Sequence, residues 1–383
     1  MAMSAVSQDV LLSGWLADPS LRAIVFAQAE VGPAEAISLS GYAVQGDVIP
    51  AIVAQTGSSC PAIKVSGSAQ VIERLEYLSG GGQAVSVGGL PARAYLGAGL
   101  PEQCDSDAPW DLASALSRHG ALIRDAITRH MDGLGDVDAA QAQARWPMVL
   151  VRASSSLRAR SQEAPAELRR RARPDDVELR RVSQGYTKFF AVEDYVLAHR
   201  RFTGGMSAEI SRAAFISGDA VVILPYDPAR DQVLLVEQFR AGLFARGDLN
   251  PWSLEGVAGR IDAGETPQEA GRREGEEEAG VTFSDLLQAP SYYPSPGAKA
   301  EFLYNFVGLC DLSILPSGGG GLEEEGEDIR SHIISFDRMM ALIASGEINN
   351  GPLVVLAYWL ALERDKIRAN AATRERCPFP AQP

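Results

Sequence analysis

Seven residues separate Glu265 from the run Arg273-Glu274-Gly275-Glu276-Glu277-Glu278-Ala279-Gly280-Val281, and Gly259 opens the pattern with five residues between it and Glu265. The run reads as a helix, and Glu274, Glu277 and Glu278 at i, i+3 and i+4 share one face of it. Carboxylates so close together repel. A hard divalent cation turns that cost into a site, because Mg²⁺ prefers carboxylate, carbonyl and water oxygens together with substrate phosphates. The competing reading is an acidic helix face that is simply solvated, as charge runs usually are. Fixed residue types at this many fixed spacings favour the site.

Several elements must position such a helix. Phe189 to Leu197, Ala220 to Tyr226 and Gln232 to Phe239 read as strands, the last following a turn of Asp227-Pro228-Ala229-Arg230-Asp231. Beyond the acidic run come a strand at Phe302 to Val307, a glycine-rich loop from Ser317 to Gly321, a strand at His332 to Phe336 and two helices. Strands interleaved with helices imply an α/β fold. A length of 383 residues suits two domains. Residues 1–135, with short apolar runs broken by glycines, read as one domain of short strands. Residues 136–176, rich in Ala, Arg, Glu and Gln and stopped by Pro174, read as a helical connector. Residues 177–383 form the second domain.

Composition narrows the partners. A net charge of −14 argues against reading a nucleic-acid backbone, which needs a basic field. The basic run Arg169-Arg170-Arg171-Ala172-Arg173 then reads as a solvated helix face. Any anionic ligand would have to be met by metal ions and a few local arginines. Cys60, Cys104, Cys310 and Cys377 are scattered and form no C-x-x-C pair, which suits reduced thiols in a cytoplasmic protein. The N-terminus lacks a basic start and a cleavage site, so no signal peptide is expected. No apolar stretch is long enough to span a membrane, so no membrane partner is expected either; Pro352 to Leu362 ends at Glu363-Arg364-Asp365 and reads as a core-packed helix.

The spacing of the first paragraph is that of the Nudix box, G-x5-E-x7-R-E-U-x-E-E-x-G-U. The resemblance implies a Nudix α/β/α sandwich that hydrolyses a nucleoside diphosphate linked to another group. It implies Mg²⁺, with Mn²⁺ as the alternative, held by Glu274, Glu277, Glu278 and the backbone carbonyl of Ala258. Gly275 departs from the pattern, where the box has an apolar residue, and a glycine inside a helix costs about 1 kcal/mol relative to alanine. A looser helix is expected there. Arg273 reads as structural, paired with Glu265.

Further segments between residues 185 and 365 resemble the ADP-ribose pyrophosphatase branch of that family. Arg240 in Glu237-Gln238-Phe239-Arg240, and Arg212 in Met206-Ser207-Ala208-Glu209-Ile210-Ser211-Arg212, stand where the branch places arginines on substrate phosphate. The planar fork of arginine suits that task. Pro296, fifteen positions past Val281, stands in register with Gly297 and Glu301 as further substrate-binding positions. Glu325 and Glu327, in an acidic stretch after the glycines, stand where a mobile loop brings a glutamate to the attacking water. The resemblance also implies catalysis with Glu277, AMP and ribose 5-phosphate as products, and a homodimer through the Nudix domain. Cleavage of another nucleotide sugar or dinucleotide, or sensing of ADP-ribose without cleavage, are the alternatives.

Residues 9 to 110 resemble a gamma-glutamylcyclotransferase-type α/β barrel domain. Ser13-Gly14-Trp15-Leu16 takes the place of that family's Tyr-Gly-(Ser/Thr)-Leu loop, and Ser79 that of its acidic residue. Both departures imply an inactive domain. The two-domain combination resembles proteins named for tellurite resistance, a phenotype that carries no mechanism.

Overall fold

The strands around the acidic helix alternate strictly. In a computed structural model describing residues 8–97, 106–188, 190–313 and 328–376, Val221 and Ile223 enter one core and Val222, Leu224 and Tyr226 another. A strand that sends successive side chains to opposite faces, all apolar, must be covered on both. Two compact units result, Met1–Arg212 with Asp262–Gly264, and Ala213–Ile261 with Glu265–Pro383.

The first unit contains β1 (Gln8–Leu12), α1 (Pro19–Phe26), β2 (Glu35–Gln45), β3 (Ala51–Gly67), α2 (Ala69–Ser79), β4 (Gln83–Val87) and β5 (Leu90–Tyr95). After these come α3 (Leu112–Met131), α4 (Ala139–Ala144), α5 (Trp146–Ser161), β6 (Val177–Thr187) and β7 (Ala191–His199). Its main sheet has the order β2-β3-β1-β5-β4, with β1 and β5 parallel and the other ladders antiparallel. Trp15, fully buried, donates from Nε1 to Val48 O at 2.9 Å. The whole stretch Ser13 to Leu16 is buried with it. Ser79, at the end of α2, is buried too.

The helices expected as a connector after residue 136 belong to this unit. Trp146, Val149, Leu150 and Ala153 of α5 enter the same core as Leu122, Ile123 and Ile127 of α3. The β6-β7 hairpin, expected in the second domain, joins them through Glu193. That buried carboxylate accepts from Arg152 on α5, from Gln184 Nε2 at 3.1 Å and from the Tyr195 hydroxyl. Composition marked the change to helix at residue 136 but not which core that helix would enter.

Burial, then the hydrogen bond to Glu193, pushes the Tyr195 phenol up to about 12. A pKa raised on folding contributes stability that is complete below the unfolded value and disappears as pH rises through the folded one. Stability of the first unit should fall between about pH 10 and pH 12, by at most about 1.4 kcal/mol per pH unit for one proton. Tyr195→Phe should flatten that slope in urea titrations; an unchanged slope would refute the assignment.

β8 (Ile210–Ile216) leads to the second unit, which holds β9 (Ala220–Asp227), β10 (Gln232–Phe239), α6 (Ala241–Arg246), β11 (Trp252–Glu255), β12 (Val257–Arg260) and α7 (Pro267–Ala279). It continues with β13 (Asp285–Gln288), β14 (Lys299–Ala300), β15 (Leu303–Leu309), β16 (Arg330–Ser335), α8 (Phe336–Ser345) and α9 (Gly351–Arg376). Its mixed sheet has the path β11-β10-β9-β15-β13, with β12 on β9 and β16 on β10; only β15 and β9 run parallel. α7 covers one face, with Ala270 and Ala279 among Val221, Ile223 and Val257. α8 and α9 cover the other, through Met339, Leu342, Leu353, Leu356 and Leu360. This is the expected α/β/α sandwich.

The β9-β10 turn is fastened by the last helix. Asp231, at φ +58, accepts from the Tyr226 hydroxyl at 2.8 Å and from Arg364 Nε at 2.7 Å, and Arg368 stands 3.2 Å away. Among the described residues no helix is long and apolar enough to cross a membrane.

Candidate active site

α7 begins where its sequence provides a cap. Thr266 Oγ1 accepts from Glu269 N at 3.2 Å while the Glu269 carboxylate accepts from Thr266 N at 2.8 Å, and Pro267 supplies the first turn. Each bond satisfies an amide that the helix leaves without a partner. The helix ends at Gly280, which is left-handed at φ +60.

Its buried face is small and acidic rather than apolar: Ala270, Gly271, Glu274, Gly275, Glu278 and Ala279. Glu278, 2% exposed, accepts from Ala258 N at 2.9 Å through Oε2. The Glu274 carboxylate, on a residue 9% exposed, lies against Gly259, where a Cβ would stand 1.9 Å from Oε1. Only glycine allows it. Two carboxylates of one helix face are therefore laid on consecutive residues of β12.

Arg273 offsets the repulsion. Nη1 donates to Glu274 Oε1 at 2.8 Å and to Glu277 Oε2 at 2.9 Å. Nε and Nη2 grip Glu265 at 2.9 and 3.0 Å, and Nη2 also donates to Arg260 O at 3.1 Å. The hydrogen bonds to Glu265 come first among the causes that raise the guanidinium pKa. One cation joins three carboxylates, and the pairing with Glu265 is the one its spacing implies. Among the described residues no three His, Cys, Asp or Glu side chains converge into a ready-made metal cage.

Gly275 does not loosen the helix as expected. A Cβ there would stand 2.4 Å from Phe283 Cε2, so an aromatic ring already fills the space an apolar side chain would take.

The other expected residues are placed as follows. Arg240 pairs with Glu255, at 3.2 Å from Nε to each oxygen and 2.8 Å from Nη2 to Oε2. Glu255 is buried and was not singled out in the sequence; its only signal is an acid at an inward position of a short apolar strand, Trp252-Ser253-Leu254-Glu255. Glu301 accepts from Ser217 Oγ at 2.9 Å and pairs with Lys299 at 2.7 Å. Gly297 is exposed in a loop, and nothing stands within 4 Å of a Cβ built on it. Arg212 belongs to the first unit, is exposed, and donates to Ser211 O at 2.8 Å. Glu325 and Glu327 lie outside the described residues.

A family model described as NUDIX domain matches residues 217–354. The ADP-ribose pyrophosphatase of Escherichia coli (strain K12) is 38% identical over 194 residues, which cover 51% of this chain and 92% of that protein. The chain belongs to the Nudix family. An ADP-ribose pyrophosphatase of Haemophilus influenzae is 36% identical over 189 residues, 49% of this chain and 87% of that one. A GDP-mannose pyrophosphatase of Pectobacterium atrosepticum is 32% identical over 168 residues, 44% and 85%. As a Nudix enzyme the chain is a pyrophosphatase hydrolase, and its Nudix helix is α7.

Proposed function

We propose that the chain hydrolyses the pyrophosphate bond of ADP-ribose, with Mg²⁺ or alternatively Mn²⁺, to AMP and ribose 5-phosphate. The observation that carries this reading is the placement of Glu274 and Glu278 on Gly259 and Ala258 of β12, with Arg273 joining Glu274 to the neighbouring Glu277. The donor set suits a hard cation. Three carboxylates and the Ala258 carbonyl are all oxygen ligands, and a carboxylate offers about four lone-pair positions, so an arginine on one oxygen does not exhaust it. When bound, the cation would spread the charge of the pyrophosphate and lower the pKa of a water.

The protein's own residues do the rest. Glu274, Glu277, Glu278 and Ala258 hold the cation, and Arg273 keeps the first two aligned. Arg240, itself oriented by buried Glu255, grips the diphosphate. Arg212, Gly297 and Glu301 bind substrate on the strength of the resemblance, and Glu325 or Glu327 orients the water with Glu277. We also propose a homodimer through the Nudix domain. We also propose that residues 9 to 110 form a domain like the gamma-glutamylcyclotransferases, with no cyclotransferase activity expected because a serine stands at position 79.

The names of the first two relatives favour ADP-ribose; that of the third keeps a second reading, GDP-mannose or another nucleotide sugar, in play. A panel of ADP-ribose, GDP-mannose and a dinucleotide with Mg²⁺, followed by nucleotide release, decides between them. AMP formed fastest from ADP-ribose is the expected result. Preference for GDP-mannose by tenfold or more, about 1.4 kcal/mol in kcat/KM, would replace the substrate and leave the cation site standing.

A further inference from the structure

α7 meets its sheet on glycine. Gly271 and Gly275 lie one turn apart on the buried face, next to Glu274 and Glu278. A Cβ on Gly271 would rest at ordinary contact distance, 3.4 Å from Val221 Cγ2. Gly275 is different. A Cβ there would overlap Phe283 at 2.4 Å from Cε2 and 2.9 Å from Cζ. A Cβ on Gly308 in β15 would overlap the same ring from another side, 2.5 Å from Cδ1 and Cε1.

The Phe283 ring, 3% exposed, is therefore seated between two glycines, one on the Nudix helix and one on the sheet. The backbone around it is tied down as well. Arg272 Nη1 donates to Phe283 O at 2.7 Å, Val281 N to Gly275 O at 2.9 Å, and Ser284 N to Leu309 O at 2.8 Å. The ring cannot retreat from the helix, because Gly308 and its strand stand behind it.

We infer that Phe283 is a positioning residue: its ring, seated between Gly275 and Gly308, sets the height of α7 above the sheet and so holds Glu274 at Gly259 and Glu278 at Ala258 for cation binding. The inference rests on the cation reading proposed above. In the Nudix box the helix carries its own apolar residue at position 275; here that contact comes from outside the box, from the chain that follows the helix. A close-packed interior transmits a change of one methylene to its neighbours, and a binding site tolerates displacements of only about 0.5 Å. Deleting the ring lets the helix settle, and the two carboxylates move with it.

The test titrates the full chain with Mn²⁺ alone, followed by electron paramagnetic resonance, for the wild type, Phe283→Ala, Phe283→Leu, the double variant Gly275→Leu/Phe283→Ala, and Glu278→Gln as reference. Phe283→Ala should weaken Mn²⁺ binding by about 10- to 100-fold, as loss of residues that orient metal ligands does, and Phe283→Leu by less. The double variant returns an apolar group to the same space from the helix side, and should bind within about threefold of wild type. A purely structural role for Phe283 would lower stability without changing the Mn²⁺ affinity of the folded protein. Phe283→Ala within twofold of wild type, while Glu278→Gln has lost Mn²⁺, overturns the inference. So does a folded double variant that binds no better than Phe283→Ala. Should Phe283→Ala fail to fold, a folded double variant that binds Mn²⁺ more than about tenfold more weakly than the wild type overturns the inference instead. Glu278→Gln binding Mn²⁺ as the wild type does would instead remove the cation reading, and this inference with it.

Discussion

Glu278→Gln lowers turnover by about three orders of magnitude at saturating Mg²⁺ and leaves the melting temperature nearly unchanged. Glutamine keeps a carbonyl oxygen that can accept from Ala258 N, so the 2.9 Å bond between helix and strand survives. The anionic charge does not. Loss of charge stabilisation at a metal site is worth several kcal/mol in the transition state, and each 1.36 kcal/mol is tenfold in rate. Glu276, exposed on the same helix, provides the control, and Glu276→Gln should retain turnover within about twofold, as surface substitutions usually do. Steady-state kinetics with circular dichroism checks both. Turnover of the Glu278 variant within tenfold of wild type would sink the assignment of its carboxylate.

Arg273→Ala separates folding from catalysis differently. Glu265, Glu274 and Glu277 lose the cation they share. Removing one partner of a buried ion pair costs about 3–5 kcal/mol, and the 29% exposure of the Arg273 side chain reduces this to about 2–3 kcal/mol. For a unit of this size that is a fall in melting temperature of about 5–10 °C. Lysine keeps the charge but not the fork, so Arg273→Lys should fall between the two. Mg²⁺ can then replace part of the missing charge, and should raise the melting temperature of the alanine variant more than that of the wild type. Thermal scans with and without Mg²⁺ decide the matter; a variant that melts within 2 °C of wild type would show that the cluster does not depend on its arginine.

The sequence made the acidic helix and its strands legible because their signals are local. The period of Glu274, Glu277 and Glu278, the alternation along Ala220 to Tyr226 and the breaks at Asp227 to Asp231 each lie within a short window. Gly275 looked like a weakness for the same reason, since the window around it contains no aromatic ring facing it. Phe283 reaches it only through the bend at Gly280 and the pairing of β13 with β15. Glu255 was hidden in another way, as an acid in a four-residue strand whose partner, Arg240, stands 15 positions earlier. The elements after residue 136 join the first unit; a composition shift marks a change of element, whereas a unit is defined by which core the element enters.

Asp231 receives its arginine from 133 positions further along the chain. A ribosome completes the β9-β10 hairpin well before the guanidiniums of Arg364 and Arg368 that hold its turn emerge. Until then the turn carboxylate has only water and the Tyr226 hydroxyl, and the face of the sheet that α9 will cover stays wet. α7 is thus made well before the far face of its sheet is covered, and the hairpin turn is expected to become fixed only once α9 has docked.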